Sequence, residues 1–214
     1  LAQVYQKVGN QKNAYELFED VIRESSDYEM TFNAKMNLAK SAIQTGINVT
    51  KSKEALKKML KDDKNKEYLD QIYFTISEIE IAEMDTTASV NSLLNSTKYS
   101  LDNDVQKSHS FYNLAKIYYA KQEYRKAGTY YDSTIFYIDK NDEKYAEIFE
   151  TSQSLNKLIN NLDIVYLQDS LIALSTLPKN IQLEVVNEII NNIIEKEKKA
   201  KEQKMLIQQS MYEN

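Results

Sequence analysis

Apolar and small residues recur with helical spacing along the chain, and one arrangement of them occurs twice. Five residues near the start each lie 113 positions before a residue of similar character: Leu1, Ala2, Tyr5, Ala14 and Phe18 precede Leu114, Ala115, Tyr118, Ala127 and Tyr131. A single offset shared by five positions indicates an internal repeat. Helices are also favoured by composition, because three glycines and one proline leave little turn chemistry for an all-β or doubly wound fold.

The later copy carries a further likeness in residues 111–119, 123–127 and 130–131. These segments resemble one tetratricopeptide repeat, a helix-turn-helix unit of about 34 residues. In such units small residues lie where the two helices touch, so Ala115 and Ala127 are expected to be buried. Gly9 is expected in the turn of the first unit with left-handed backbone, and Gln122 occupies the equivalent turn of the later one.

The offset of 113 residues equals three units of about 34 residues plus a small surplus, which predicts two degenerate repeats in between. We place about seven of the extra residues in a widened turn at 46–50 and about four at 103–107, where Asp102 or Asp104 is expected to cap a helix. The predicted fold is all-α: a tetratricopeptide repeat superhelix, or α-solenoid, of about four repeats over residues 1–141. Because Leu1 falls within a helix, the first repeat is expected to be truncated.

Beyond the repeats, the pattern predicts C-terminal capping helices over residues 142–194 and a charged helical extension or tail over 195–214. Apolar residues follow a 4-3-4 spacing from Ile148 to Tyr166, Asp169 with Ser170 suggests a new helix N-cap, and Pro178 is expected to break the helix. The last apolar stripe, from Val185 to Ile194, requires a partner surface.

The sequence favours a protein that is not an enzyme. We predict no catalytic residues, no metal site and no cofactor, because three glycines could hardly build a phosphate loop and no nucleophile motif appears. His109 has no second histidine or cysteine as a partner ligand, and the aspartates at 62–63 and 102–104 lack the glycine and glutamate of a calcium loop. The net charge of −5 argues against nucleic-acid binding.

Resemblance to tetratricopeptide arrays also implies a binding face, because their leading helices line a concave groove. Tyr5, Tyr118, Tyr124 and Tyr131 are explained by packing, whereas Tyr112 and Tyr119 are expected to meet a protein partner, a peptide or helix. The full predicted concave face comprises Gln71, Phe74, Glu78, Ile81, His109, Tyr112, Lys116 and Tyr119.

Three segments, residues 59–74, 130–134 and 169–174, are less generic than the repeat itself. Together they resemble the SprE/PorW family, tetratricopeptide lipoproteins of Bacteroidetes associated with type IX secretion and gliding motility. The resemblance implies a scaffold at the periplasmic face of the outer membrane, with secretion or motility components as partners. Membrane attachment is expected only through an N-terminal lipid anchor outside this chain, since no apolar run is long enough to span a bilayer.

Two other functions remain open from the sequence. One is a cytoplasmic tetratricopeptide adaptor that binds a peptide or helix in signalling or regulation. The other is the accessory half of a hydrolase acting on cell-wall glycan, although no active-site pattern supports it. A leader ending in a lipidated cysteine would favour the secretion scaffold, and a fused helix-turn-helix or kinase-like domain would favour the adaptor.

Overall fold

The computed structural model describes the backbone of residues 1–212 and the side chains of residues 1–206. Over the described residues the chain is all-α, without a strand, which confirms the predicted class. One 3-10 helix, Asp63–Tyr68, accompanies ten α-helices. These are α1 Ala2–Lys7, α2 Gln11–Glu24, α3 Tyr28–Thr45, α4 Val49–Met59, α5 Leu69–Ala82, α6 Thr86–Tyr99, α7 Asp104–Ala120, α8 Tyr124–Tyr137, α9 Tyr145–Ser175 and α10 Lys179–Tyr212.

Four helix pairs are joined by turns that share one backbone feature. Gly9, Gly46, Met84 and Gln122 have positive φ angles of 82°, 73°, 61° and 60°, at intervals of 37, 38 and 38 residues. The residue after three of these turns donates its N–H to the carbonyl five positions back, at 2.8–2.9 Å. This bond is the one that closes a Schellman motif. The predicted left-handed turn at Gly9 is therefore confirmed, and Gln122 adopts the same conformation without being glycine.

Because the intervals between the left-handed residues are nearly equal, the extra residues do not lie where the sequence predicted them. The fifth residue after Gly9, Met84 and Gln122 is small and fully buried: Ala14, Ser89 and Ala127. After Gly46 the equivalent small buried residue is Ser52, the sixth, so this turn is longer by only one residue. The predicted widening of the turn at 46–50 by about seven residues is wrong. Each interval instead exceeds 34 residues by a few, so the surplus is spread along the chain.

Small side chains occupy equivalent buried positions on both helices of each pair. Ala2, Ala39, Ser77 and Ala115 each precede a left-handed residue by seven positions and are buried, the last three of them fully. Their partners on the second helices are Ala14, Ser52, Ser89 and Ala127, followed four residues later by the large buried side chains of Phe18, Leu56, Leu93 and Tyr131. This alternation of small and large residues lets the helices approach closely.

Contacts follow the order of the chain. Each of α1, α3, α5 and α7 packs on the helix that follows it, α3 and α5 pack on each other, and so do α5 and α7. Residues 1–159 form one compact unit. Within it, Gly128 on α8 allows α9 to approach, because a Cβ there would lie 2.9 Å from Ile159 Cδ1.

Two predictions about helix ends differ from the structure. The cap of α7 is Asn103, whose Oδ1 accepts from the Gln106 N–H at 3.1 Å, rather than Asp102 or Asp104. The N-cap predicted at Asp169 and Ser170 is wrong, because α9 continues through both residues to Ser175. Ser170 instead donates to the Tyr166 carbonyl one turn earlier, at 2.7 Å.

A second unit begins at residue 160 and contains the end of α9 and all of α10. The predicted break at Pro178 is confirmed, since α9 ends at Ser175 and α10 begins at Lys179. Helix α10 passes through the charged run that starts at Glu195 and reaches Tyr212, and positions 213 and 214 of the predicted extension lie outside the described residues. The stripe on α10 is solvent-exposed at Val186, Ile189, Ile190, Ile193 and Ile194. None of the helices described has the length and apolar character required to cross a membrane.

Candidate functional site

The eight residues of the predicted concave face lie on two neighbouring helices. Gln71, Phe74, Glu78 and Ile81 are on α5, and His109, Tyr112, Lys116 and Tyr119 are on α7. The two rows occupy equivalent positions before the left-handed residues Met84 and Gln122. The rows also meet in space, because the rings of Phe74 and His109 lie 6.3 Å apart.

Helix α3 contributes a third row that the sequence reasoning missed. Lys40 precedes Gly46 by six positions, as Glu78 precedes Met84 and Lys116 precedes Gln122. Lys40, Ile43 and Gln44 line one shallow cavity together with Glu78 and with Gln6 of α1. The position of the left-handed glycine at 46 was the signal that could have placed Lys40 beside Glu78. We call Lys40, Glu78 and Lys116 the charged row.

Glu78 occupies the middle of the charged row in an unfavourable environment for a carboxylate. Its Oε2 is buried and has no hydrogen-bond partner among the described residues. Desolvation raises the pKa of Glu78, and the positive charges of Lys40 and Lys116 oppose that effect only in part. Burying a carboxylate oxygen without a donor is costly, so the fold alone does not explain this residue.

Lys116 combines charge with an aromatic neighbour. Its Nζ lies 4.7 Å from the centre of the Tyr112 ring, within the range of a cation–π contact. Loss of water around the ammonium lowers the pKa of Lys116, Lys144 lowers it further, and Glu78 acts in the opposite direction. The Lys116 side chain remains exposed at the surface, so its ammonium is accessible to the carboxylate of a partner.

His109 lies at the edge of this surface, where α7 faces the start of α9. It lines a second cavity with Tyr112, Asp142, Lys144 and Ile148. Much of the ring is accessible, yet the surrounding protein displaces enough water to lower the pKa of His109, against the opposing charge of Asp142. His109 is thus favoured as a neutral ring at pH 7, suited to hydrogen bonding and stacking rather than to ion pairing.

The two tyrosines singled out for binding differ in their surroundings. Tyr112 is half-buried, belongs to the core cluster around Ala115 and Ala127, and meets the Tyr131 ring edge-on at 6.2 Å. Tyr119 is 49% exposed and lines an open groove with Glu147, Glu150, Thr151 and Leu158 of α9. Tyr119, which meets the Tyr124 ring edge-on at 5.8 Å, is thus the more accessible of the two for a partner, whereas Tyr112 packs against the core.

The acidic clusters considered for calcium have local roles in the structure. Asp62 Oδ1 accepts from the Lys64 N–H at 3.1 Å and caps the 3-10 helix. Asn103, besides capping α7, donates to the buried Asp70 carboxylate at 2.9 Å. Across the part of the chain that the structure describes, no group of three or more histidine, cysteine, aspartate or glutamate side chains could hold a metal ion.

The described surface is thus a row of alternating charges bordered by aromatic rings, an arrangement suited to recognising another polypeptide. Neither the models of known protein families nor the curated proteins contain a match to this chain.

Proposed function

We propose that this chain is a non-enzymatic protein–protein interaction scaffold built from tetratricopeptide-like repeats. The observation that carries the proposal is the charged row, which lies at equivalent positions of the three leading helices α3, α5 and α7. The interval of 37–38 residues between equivalent turns supports a helical repeat. Successive leading helices of such arrays present one continuous surface to a peptide or helix.

We further propose a place for the scaffold in type IX secretion or gliding motility, at the periplasmic face of the outer membrane. This part of the proposal rests on the resemblance of residues 59–74, 130–134 and 169–174 to the SprE/PorW family. Its partners would be secretion or motility components.

Affinity purification from the native host tests both parts of the proposal. We expect recovery of outer-membrane or secretion components by the unaltered chain and their loss with Tyr119→Ala. Phe136→Ala is the matched control, because Phe136 is 80% exposed and lies on α8 rather than on one of the helices that carry the charged row. Recovery of cytosolic proteins alone, dependent on Tyr119, would favour the adaptor instead. A Tyr119→Ala chain that recovers every partner of the unaltered chain would overturn the binding face.

Tyr112→Ala requires a separate readout, since this ring packs against Tyr131 and the surrounding core. We expect it to weaken partner binding and to lower the melting temperature, whereas Tyr119→Ala weakens binding with the melting temperature unchanged. Thermal unfolding followed by circular dichroism distinguishes the two effects.

A further inference from the structure

The unpartnered oxygen of Glu78 identifies the kind of group that the surface lacks. Oε2 is buried in a position where the fold supplies no donor among the described residues. Lys40 on α3 and Lys116 on α7 are near enough to act on Glu78 electrostatically, but neither ammonium donates a hydrogen bond to this oxygen. Glu78 as a whole is only partly buried and lines a cavity beside Lys40, so rotation of its carboxylate would let a cationic side chain entering that cavity form a charge-assisted hydrogen bond with it.

The neighbours of Glu78 determine what must flank that cation. Lys40 and Lys116 lie at the equivalent position of the helices on either side, so the row reads positive, negative, positive from α3 to α7. A complementary partner reads negative, positive, negative. The side chains of Phe74, Ile81 and Tyr112 border the row and lower the local dielectric, which strengthens such pairs.

The distance between the charges selects the conformation of the partner. Packed helices lie about 8–10 Å apart, which sets the approximate interval between successive members of the row. An α-helix rises about 10.5 Å in seven residues and returns to nearly the same face. A helix laid across α3, α5 and α7 therefore matches the row when its charged residues are seven positions apart.

We propose that the charged row binds a helical protein segment in which a lysine or arginine lies seven residues from an acidic residue on each side. The basic residue pairs with Glu78, and the two acidic residues pair with Lys40 and Lys116. This inference rests on the proposed scaffold function and specifies the chemistry of its partner.

A synthetic helical peptide of about 20 residues, with glutamate, lysine and glutamate at every seventh position, provides the probe. Its binding to the full chain is measured by fluorescence anisotropy at low salt and compared with a peptide of reversed charges at the same three positions. We expect the reversed peptide to bind at least about tenfold more weakly. Equal affinity of the two peptides, or no binding of either, would overturn the inference.

Charge exchange at Glu78 tests the central contact. Glu78→Lys should weaken binding of the probe peptide at least about tenfold. It should strengthen binding of a peptide whose central lysine is replaced by glutamate. Glu54→Lys, on the exposed face of α4, is the matched control and should change neither affinity by as much. If Glu78→Lys fails to fold, Glu78→Gln removes the charge with nearly the same shape and should still weaken the probe.

The two proposals fail differently. If native partners are lost with Tyr119→Ala but are retained by Glu78→Lys, the scaffold proposal stands and the assignment of Glu78 is wrong. If the unaltered chain recovers no native partner, the scaffold proposal itself fails, whatever the synthetic peptides do.

Discussion

The Lys53 ammonium lies 2.6 Å from Glu83 Oε2 and 3.3 Å from Glu80 Oε1, joining α4 to the end of α5. Glu80 is buried, and its other oxygen accepts a hydrogen bond from Ser92 of α6 at 2.6 Å. One largely buried lysine thus connects three successive helices. Such a network orders the helices only while every member retains its partner.

Replacing Lys53 by methionine should destabilise the protein, because it leaves the buried Glu80 carboxylate without its cation. We expect a loss of about 2–3 kcal/mol in the free energy of unfolding, measured by urea denaturation at pH 7. Lys51→Met, at an exposed position of the same helix, should change it by less than about 0.5 kcal/mol. Equal effects of the two substitutions would contradict the role of the network.

The same lysine predicts a dependence on alkaline pH. Burial lowers the pKa of Lys53, but the hydrogen bond to Glu83 and the charge of Glu80 outweigh it, so the pKa is raised overall. A raised folded pKa stabilises the protein below the unfolded value of about 10.4, and this stabilisation is lost as pH rises through the folded value. Lys53→Met should remove the part of the alkaline loss of stability that comes from deprotonation of Lys53.

Ala115 and Ala127 should not tolerate larger side chains. Both are fully buried in the core cluster formed by α7, α8 and α9. Replacement of either by leucine should overpack this contact and lower the free energy of unfolding by about 1–3 kcal/mol. Ala120→Leu, at the exposed end of α7, is the control, and chemical denaturation of the three variants provides the comparison. Full stability of Ala115→Leu would show that the repeat register is misplaced.

The left-handed turns predict opposite effects on stability when a glycine is added at one turn and removed at another. Met84 is 88% exposed with a φ of 61°, so Met84→Gly should relieve backbone strain and stabilise the protein by up to about 1 kcal/mol. Gly9→Ala should destabilise by about 1 kcal/mol although nothing lies within 4 Å of the added Cβ, because φ there is 82°. Melting temperatures that move in the same direction for both variants would contradict the shared turn geometry.

Glu78 should make the folded chain less stable than its neutral analogue. Its pKa is raised by desolvation, so ionisation costs more in the folded state than in the unfolded state. The contribution of Glu78 to stability is then most favourable below the unfolded pKa of about 4.3 and is lost as pH rises through the folded pKa. Glu78→Gln should therefore raise the free energy of unfolding by about 1 kcal/mol at pH 7 and by almost nothing near pH 4.

Urea denaturation at the two pH values checks this prediction, with Glu54→Gln as the exposed control. A stabilising substitution that also weakens partner binding would mark Glu78 as a residue retained for recognition rather than for folding. A pH-independent effect of Glu78→Gln would show that the pKa of this carboxylate is not raised in the folded state.

Much of the described fold followed from local pattern. The apolar spacing and the scarcity of glycine and proline predicted helices, and the offset of 113 residues matched Gly9 to Gln122, whose backbones adopt the same conformation. The turn at Gly46 was misjudged because helix α4 presents Ser52 and Leu56 to the core, while the more obvious Ala55 is only partly buried. Small polar residues can fill buried positions as well as alanine, and hydrophobic pattern alone does not reveal them.

The candidate site was predicted less completely. Its two rows on α5 and α7 were named from the sequence, but Lys40 was not, because its approach to Glu78 depends on how α3 packs against α5. The difference between the surroundings of Tyr112 and Tyr119 was also visible only in the tertiary structure. Two turns of helix separate the two residues in sequence, and the ring that packs on Tyr131 is that of Tyr112.

The sequence by itself determined the all-α class, the break at Pro178 and the small buried positions at Ala115 and Ala127, because helix period, proline geometry and side-chain volume act locally. The tertiary structure decided which helices meet and left Glu78 Oε2 between two lysines without a donor among the described residues. These features depend on packing between residues tens of positions apart, where the environment of a side chain is set by neighbours that its own helix does not specify.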